Sequence, residues 1–233
     1  MEWIHDDVYG AYERVALEKV EEARMERVDI AKLRQEFSIA SESVRLVAVF
    51  SPTCPVCVYG QGLVRKLLEE FQDHLKGFAV WLPMMRNDSL ERADAEAAPF
   101  EGLPVVHVWD AERQVGDLFT KTLRLKSTAW DFYFLYAPGV TWLDDEPPQP
   151  TFWMHQLPAA SGADRDLVLY PTRFLHELLR LLGGGVEPNR TSRDDLGLQL
   201  HWEGLVNMTR ERAEYTLEDV HEAFEASKTA RGM

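Results

Sequence analysis

The hydrophobic pattern of the chain alternates between short apolar runs and longer amphipathic segments. Three runs bounded by Ser, Gly or Pro, at 44–50, 77–83 and 103–110, predict buried strands. The aromatic-rich segment 131–142 predicts two further strands, joined at Ala137-Pro138-Gly139. The amphipathic segments predict helices at 6–37 with a break and a new N-cap at Asp29, from Cys57 as far as Gly77, and at 89–98, 112–124, 171–182 and 216–226.

This succession of strands and helices predicts an α/β fold with additions at both ends. We expect a helical extension over 1–43, one domain over 44–185, and a second extension with a helix over 186–233. Apolar positions recur at helical spacing in both extensions, so we expect them to pack on the core or on a second copy, which makes a homodimer possible. These positions are Val8, Tyr12 and Val15 at one end and Leu217, Val220 and Phe224 at the other.

Composition narrows the choice of partners and compartment. The net charge of −14 makes nucleic acid and anionic membrane surfaces poor partners for this chain. The first residues lack the basic and apolar regions of a signal peptide, and no apolar run reaches the length of a membrane span. We therefore expect a cytoplasmic protein, in a compartment where structural disulfides are rare.

The two cysteines of the chain, Cys54 and Cys57, lie between the strand 44–50 and the helix that follows it. A thiolate at a helix N-terminus is stabilised by unpaired N–H groups and by the positive end of the helix dipole. The second cysteine of such a pair lies one turn further and can attack a mixed disulfide formed on the first. Cys-x-x-Cys between a strand and a helix is therefore typical of a redox pair.

With this motif, residues 44–182 resemble the thioredoxin-like superfamily. The resemblance implies a thioredoxin-like three-layer α/β/α sandwich, in which Cys54 is the exposed nucleophile and Cys57 the buried resolving thiol. It implies a thiol–disulfide oxidoreductase that needs no cofactor and acts on a disulfide-bearing protein or a small thiol. Thr53 before the motif and Pro55-Val56 inside it differ from thioredoxin itself, so the redox potential is not inherited. The resemblance does not extend to a peroxiredoxin activity. The peroxiredoxin motif has a Pro and then a Thr three residues before the attacking Cys, whereas Pro52, Thr53 and Cys54 are contiguous here.

The superfamily places a cis-proline opposite the motif, and the sequence offers two positions for it. In a compact arrangement Pro104 fills that position. In a longer arrangement, similar to peroxiredoxin and TlpA-like proteins, 103–123 is an insertion and 131–142 is the central hairpin, so that Trp130 and Asp131 stand at the cis-proline position. We favour the longer arrangement because its hairpin leads directly to the helix at 171–182. The candidate substrate groove then comprises Thr53, Pro55, Val56, Trp130, Asp131, Pro104 and Met84.

Two other functions use the same residues. A soft-metal protein would combine both thiolates with Met84, Met85 or a histidine, although the histidines show no metal-ligand spacing and we assign no metal-binding residue. A non-catalytic interaction module would use the extensions instead. A Cys54 sulfur beside an open groove favours the oxidoreductase, convergent Met or His side chains favour the metal protein, and a sealed pocket favours the module.

One local irregularity has no explanation in the pattern itself. Gly60 and Gly62 lie in the first turns of the helix that follows the cysteines, where each costs about 1 kcal/mol relative to Ala. We expect the close approach of another backbone segment at this point.

Overall fold

The computed structural model describes residues 25–157 and 159–189, together with residues 193, 195–197 and 200. The helices predicted before residue 25 and at 216–226 lie outside the described residues, as do all six apolar positions named for the extensions. The described strands are β1 (Glu26–Arg27), β2 (Val44–Phe50), β3 (Leu75–Trp81), β4 (Val105–Trp109), β5 (Phe132–Tyr136) and β6 (Phe152–His155). The described α-helices are α1 (Ile30–Ile39), α2 (Pro55–Glu70), α3 (Leu90–Ala97), α4 (Gln114–Leu123) and α5 (Pro171–Leu181).

The six strands form one mixed sheet in the order β1-β4-β3-β2-β5-β6. β1, β4, β3 and β2 run parallel to one another, whereas β5 is antiparallel to both β2 and β6. Parallel neighbours require a crossover connection, and α2 and α3 supply the two crossovers that lead from β2 to β3 and from β3 to β4. The carboxyl ends of β2, β3 and β4 therefore meet at one edge of the sheet, where β5 begins.

Helices cover both faces of the sheet. One core cluster buries residues of α2 and α5, among them Leu67 and Phe174, against one face. A second cluster buries residues of α1 and α4, among them Phe37 and Phe119, against the opposite face. β2 is buried along its whole length, which agrees with its sequence, in which Arg45 is the only residue that is not apolar. This architecture confirms the three-layer α/β/α sandwich predicted from the sequence.

The structure confirms the two helix N-caps that the sequence predicted. Asp29 caps α1 by accepting hydrogen bonds from the N–H groups of Ala31 and Lys32, and Ser89 caps α3 through the N–H of Arg92. Glu26 and Arg27 were predicted to be helical, but they form the edge strand β1 beside β4.

One predicted helix end and one predicted strand pairing are wrong. α2 ends at Glu70, and Gly77 lies inside β3, where an added Cβ would come within 3.0 Å of the side chains of Leu68 and Val105. The partner of β5 is β6 at 152–155, so the predicted hairpin turn at Ala137-Pro138-Gly139 instead opens a long connection.

Side chains of α1 and β2 explain why the chain after β5 does not form a hairpin with it. The buried guanidinium of Arg45 donates hydrogen bonds to the carbonyl groups of Ala137 and Val140. The hydroxyl of Ser38 accepts a hydrogen bond from the Trp142 N–H at 3.1 Å. These backbone groups are therefore already paired and do not join the sheet.

Among the described residues, no helix has both the length and the apolar content that crossing a bilayer requires.

Candidate thiol site

The cysteine pair lies at the carboxyl edge of the sheet, where β2 gives way to α2. Cys54 is the N-cap of α2, and Pro55 occupies the first helical turn, where its missing N–H breaks no intrahelical bond. The N–H of Cys54 donates to the carbonyl of Ser51 at 3.2 Å, which closes the turn between strand and helix. Cys57 follows one helical turn later and faces the core, and the N–H of Ser51 donates to its sulfur at 3.5 Å. Both cysteines are free thiols in this structure.

A single carboxylate holds the loop that leads to Cys54. Asp88 accepts hydrogen bonds from the hydroxyl of Ser51 at 2.6 Å and from both the N–H and the hydroxyl of Thr53 at 2.8 Å. The oxygen that accepts from Ser51, Oδ2, also accepts hydrogen bonds from the N–H groups of Met84 and Met85 at 2.8 and 2.7 Å. Asp88 thereby fastens the loop before the cysteines to the loop after β3.

Asp131 enters the same edge from the start of β5. Its N–H donates to the carbonyl of Val49 at 2.6 Å, and its backbone adopts a left-handed conformation with φ of 58°, which aspartate tolerates better than most residues. The sulfurs of Cys54 and Cys57 and a carboxylate oxygen of Asp131 all lie within 4.8 Å of one another. The structure thus brings two thiols and a carboxyl together from two separate segments.

The three groups have strongly perturbed proton affinities. The hydrogen bond from Cys57 lowers the pKa of the Cys54 thiol to about 6, and the N–H groups of Cys57 and Val56 contribute in the same direction. Burial raises the pKa of Cys57 well above its ordinary value, and its hydrogen bond to Cys54 adds to this effect. Burial also raises the pKa of Asp131 to about 8, against the opposing effect of a hydrogen bond from Tyr133. Cys54 is therefore the thiol of the pair that ionises readily, whereas Cys57 retains its proton.

Tyr133 and Gln156 hold the carboxyl of Asp131 in place. The Tyr133 hydroxyl donates to Asp131 Oδ1 at 2.5 Å. The Gln156 amide orientation that satisfies its surroundings places its nitrogen 2.7 Å from the Tyr133 hydroxyl, 3.0 Å from Asp131 Oδ1 and 3.3 Å from the carbonyl of Val56. This arrangement links β5, the residue after β6 and the first turn of α2.

The same tyrosine explains the glycine at position 60. A Cβ on Gly60 would lie 1.6 Å from the Tyr133 hydroxyl, so no larger residue fits while Tyr133 keeps its place. The close approach expected from the sequence is therefore made by a side chain and not by another backbone segment.

Cys54 is not exposed, in contrast to the expectation from the resemblance. Its exposed fraction is 3%, and those of Cys57 and Asp131 are 0% and 1%. Val56 and Trp130 are half-buried and pack against the core cluster that contains both cysteines. The closed surface is the outcome that was expected to favour the interaction module, whereas the place of Cys54 at a helix N-terminus favours the oxidoreductase.

The remaining predicted site residues divide between this edge of the sheet and other places. Thr53 lies at this edge, as described, and Trp130 directly precedes Asp131. Pro104 does not lie beside the motif, because it precedes the parallel strand β4 and its carbonyl accepts a hydrogen bond from Gly77 at the opposite edge of the sheet. No peptide bond among the described residues is cis. Met84 packs against the core cluster on the other face of the sheet from the cysteines.

Comparisons with known proteins add little to this geometry. No protein-family model matches the chain. No curated protein matches it either. A solved structure described as the "Solution Structure of a Thioredoxin-like Protein in the Oxidized Form" is 16% identical and covers 61% of this chain and 80% of that one, with a TM-score of 0.39. Nothing about the site follows from a likeness of this size.

Three residues of the site were missed by sequence reasoning. Asp88 lies in a polar loop and follows no motif. Tyr133 belongs to an aromatic strand whose default role is core packing, and Gln156 follows a strand that the sequence did not predict. Only Gly60 gave a signal, since its presence in a helix indicated that something lies close by.

Proposed function

We propose that this protein is a thiol–disulfide oxidoreductase in which Cys54 is the nucleophile and Cys57 the resolving thiol. The observation that carries the proposal is the asymmetric pair itself, in which Cys54 caps the start of α2 and the fully buried Cys57 lies one turn further with its sulfur within 4.8 Å of that of Cys54. With a pKa of about 6, Cys54 is mostly thiolate at neutral pH, and the thiolate is the form that attacks disulfides.

The reductive direction proceeds in two exchanges. The Cys54 thiolate attacks one sulfur of a substrate disulfide, so that a Cys54–substrate disulfide forms and the other substrate sulfur leaves as a thiolate. Cys57 then loses its proton and attacks the Cys54 sulfur, which releases the second substrate thiolate and leaves a Cys54–Cys57 disulfide. Two electrons pass from the protein dithiol to the substrate, and oxidation of a substrate dithiol is the reverse sequence.

Asp131 accepts the proton of Cys57 in the second exchange. Its carboxyl lies within 4.8 Å of the sulfur, and its raised pKa is close to that of a base working near neutral pH. The negative charge of Cys54 contributes to raising the pKa of Asp131. That charge disappears once Cys54 is in the mixed disulfide, so Asp131 ionises more readily at the step at which Cys57 must lose its proton.

The closed surface favours small or flexible substrates. With 3% of Cys54 exposed, the flat face of a folded protein does not reach the sulfur unless half-buried residues such as Val56 and Trp130 move. A small disulfide or an extended peptide segment needs less movement. The burial thus favours substrates of this class among disulfide-bearing partners.

The experiment uses dithiodipyridine, a disulfide that releases a coloured thione at each exchange. With one equivalent of dithiodipyridine, wild-type reduced protein should release two thiones per reagent molecule, the first on attack by Cys54 and the second on resolution by Cys57, the only other cysteine of the chain. Cys57→Ser should release one thione and retain the other as a stable mixed disulfide on Cys54. Cys54→Ser should lose the fast first phase.

Two results would contradict the proposal. Release of a single thione by the wild type would show that no internal disulfide forms. Equal rates for Cys54→Ser and Cys57→Ser in the first phase would show that neither thiol is activated, as expected for a non-catalytic interaction module.

A further inference from the structure

The arrangement of two sulfurs and one carboxylate is also a donor set for a metal ion. Within the described residues, Cys54, Cys57 and Asp131 form the one group of His, Cys, Asp or Glu side chains whose ligand atoms converge in this way. Their atoms lie within 4.8 Å of one another, whereas a tetrahedral zinc site holds two sulfurs about 3.8 Å apart and a sulfur and an oxygen about 3.5 Å apart. Convergence of the three atoms by about 1.3 Å or less would complete the geometry.

The charges of the site favour a cation. The groups that perturb the two cysteines and Asp131 include no lysine, arginine or histidine. None of the ion pairs found in the described part of the chain involves Asp131. Two thiolates and a carboxylate in this buried place would carry three negative charges without a counterion, and a divalent cation would cancel two of them.

The residues around the carboxylate resemble the support that metal ligands require. A ligating carboxylate is held by hydrogen bonds from an outer layer of residues, and Asp131 has such partners in Tyr133 and Gln156. Two thiolates with one oxygen suit a borderline-soft ion, and three protein ligands leave the fourth tetrahedral position for water or another small ligand.

We propose that the reduced protein binds one divalent d10 cation, with Zn²⁺ as the representative, through Cys54 Sγ, Cys57 Sγ and an oxygen of Asp131. Binding displaces the protons that remain on these three groups, at most three per ion, and changes no oxidation state. The Cys54–Cys57 disulfide has no thiolate to offer, so oxidation by a disulfide substrate releases the ion. The inference shares its thiols with the proposed function but does not require the disulfide cycle.

Co²⁺ is the spectroscopic probe for the first test. Full-length protein, reduced with a phosphine and freed of metal, should bind one equivalent of Co²⁺ with thiolate-to-metal charge transfer and the visible bands of a tetrahedral ion. Zn²⁺ should displace it, and the disulfide form of the protein should give no such spectrum. Absence of the charge-transfer band in the reduced wild type would overturn the inference.

Variants test the third ligand. Tyr133→Phe removes an outer hydrogen bond and should weaken Zn²⁺ binding by about 10–100-fold, and Asp131→Asn should weaken it further. Asp110→Asn is the matched control, because Asp110 is another buried aspartate at the same edge of the sheet, and its affinity should equal that of the wild type. Wild-type affinity in Asp131→Asn would show that the two thiolates bind alone and would overturn the three-ligand site.

X-ray absorption on the zinc-loaded wild type gives an answer that depends on no variant. The expected shell has two sulfurs and two lighter atoms, whereas four sulfurs would show that the ion bridges two chains and would overturn the assignment. The thione assay on the same preparation separates the two proposals. Loss of metal binding with two thione phases intact removes only this inference, and metal binding without a second phase removes only the proposed function.

Discussion

Two buried aspartates lie at the same edge of the sheet, and their surroundings differ. Asp110 follows β4 and accepts hydrogen bonds from the N–H groups of Gln114 and Val115 in the first turn of α4, at 3.0 and 2.7 Å. Asp131 precedes β5 and faces two sulfurs and the Tyr133 hydroxyl. Burial raises the pKa of both carboxyls, but backbone N–H groups oppose the shift only at Asp110.

The difference shows how a fold separates a structural carboxylate from a reactive one. The charge of Asp110 is compensated by fixed backbone donors, which also satisfy the start of a helix. The charge of Asp131 is compensated by side-chain donors and lies beside groups that themselves gain or lose protons. Residue type, burial and position in the sheet are alike, so the neighbours decide the role.

The largest expected difference between the two aspartates is kinetic. In the dithiodipyridine assay at pH 8, where at least about half of the Asp131 carboxyl is ionised once the Cys54 charge is gone, Asp131→Asn should slow the second phase by about 10²–10⁴-fold because the proton acceptor is lost. The first phase should change much less. Asp110→Asn should leave both phases within a few-fold of the wild type, and an equal slowing in the two variants would show that Asp131 acts only through general stability.

The pH dependence of stability should separate the two variants next. The pKa of Asp131 is raised from 3.8 to about 8 in the folded protein, so between these values the folded state keeps a proton that the unfolded chain loses. The free energy of unfolding therefore falls as pH rises through this window, at about 1.4 kcal/mol per pH unit at most. The lowered pKa of Cys54 acts in the opposite direction between about 6 and 9.

Asp131→Asn should remove the first of these effects and leave a flatter profile, measured by urea unfolding of the reduced protein from pH 5 to pH 8. Asp110→Asn should change the slope less, because backbone N–H groups already favour the charged form of that residue. A profile for Asp131→Asn that parallels the wild type would contradict the raised pKa.

A substitution in α2 should affect Asp131 and leave Asp110 unchanged. Gly60→Ala forces Tyr133 away from its place and with it from Asp131, so we expect a loss of about 1–3 kcal/mol in the free energy of unfolding. The second thione phase should slow as well. Gly185→Ala, where an added Cβ meets nothing within 4 Å, is the control and should change neither quantity.

The smallest expected effect concerns Asp110 alone. Asp110→Ala removes two hydrogen bonds to the first turn of α4 and should lower the free energy of unfolding by about 0.5–2 kcal/mol, in the range of helix-cap removal. Thermal or urea unfolding measures the loss, and both thione phases should keep their rates. A changed second phase would mean that Asp110 also influences the thiols.

Patterns within the sequence were sufficient for the elements that follow local rules. The largely apolar run at 44–50 predicted β2 at its observed bounds, and the Cys-x-x-Cys spacing predicted that the pair lies at the start of α2. Asp29 and Ser89 predicted two helix starts. In each case the signal and the structure that it specifies lie within a few residues.

The errors arise where distant residues decide. The turn at 137–139 does not make a hairpin because Arg45 and Ser38, about a hundred residues earlier, pair with the backbone that follows it. β6 is only four residues long and follows a proline-rich segment, which masked its strand pattern. Asp131 was considered for its position relative to the motif, but its place within 4.8 Å of both sulfurs depends on how β5 pairs with β2.

The carboxylate of Asp88 also has a consequence for slow fluctuations near the thiols. It accepts the amide protons of Thr53, Met84 and Met85, which belong to two loops on either side of α2 and β3. Amide protons that share one acceptor are released to solvent when that acceptor leaves, so their hydrogen exchange should follow a single opening event. The backbone preceding Cys54 and the loop after β3 would then open as one cooperative unit, and Asp88→Asn would raise all three exchange rates together.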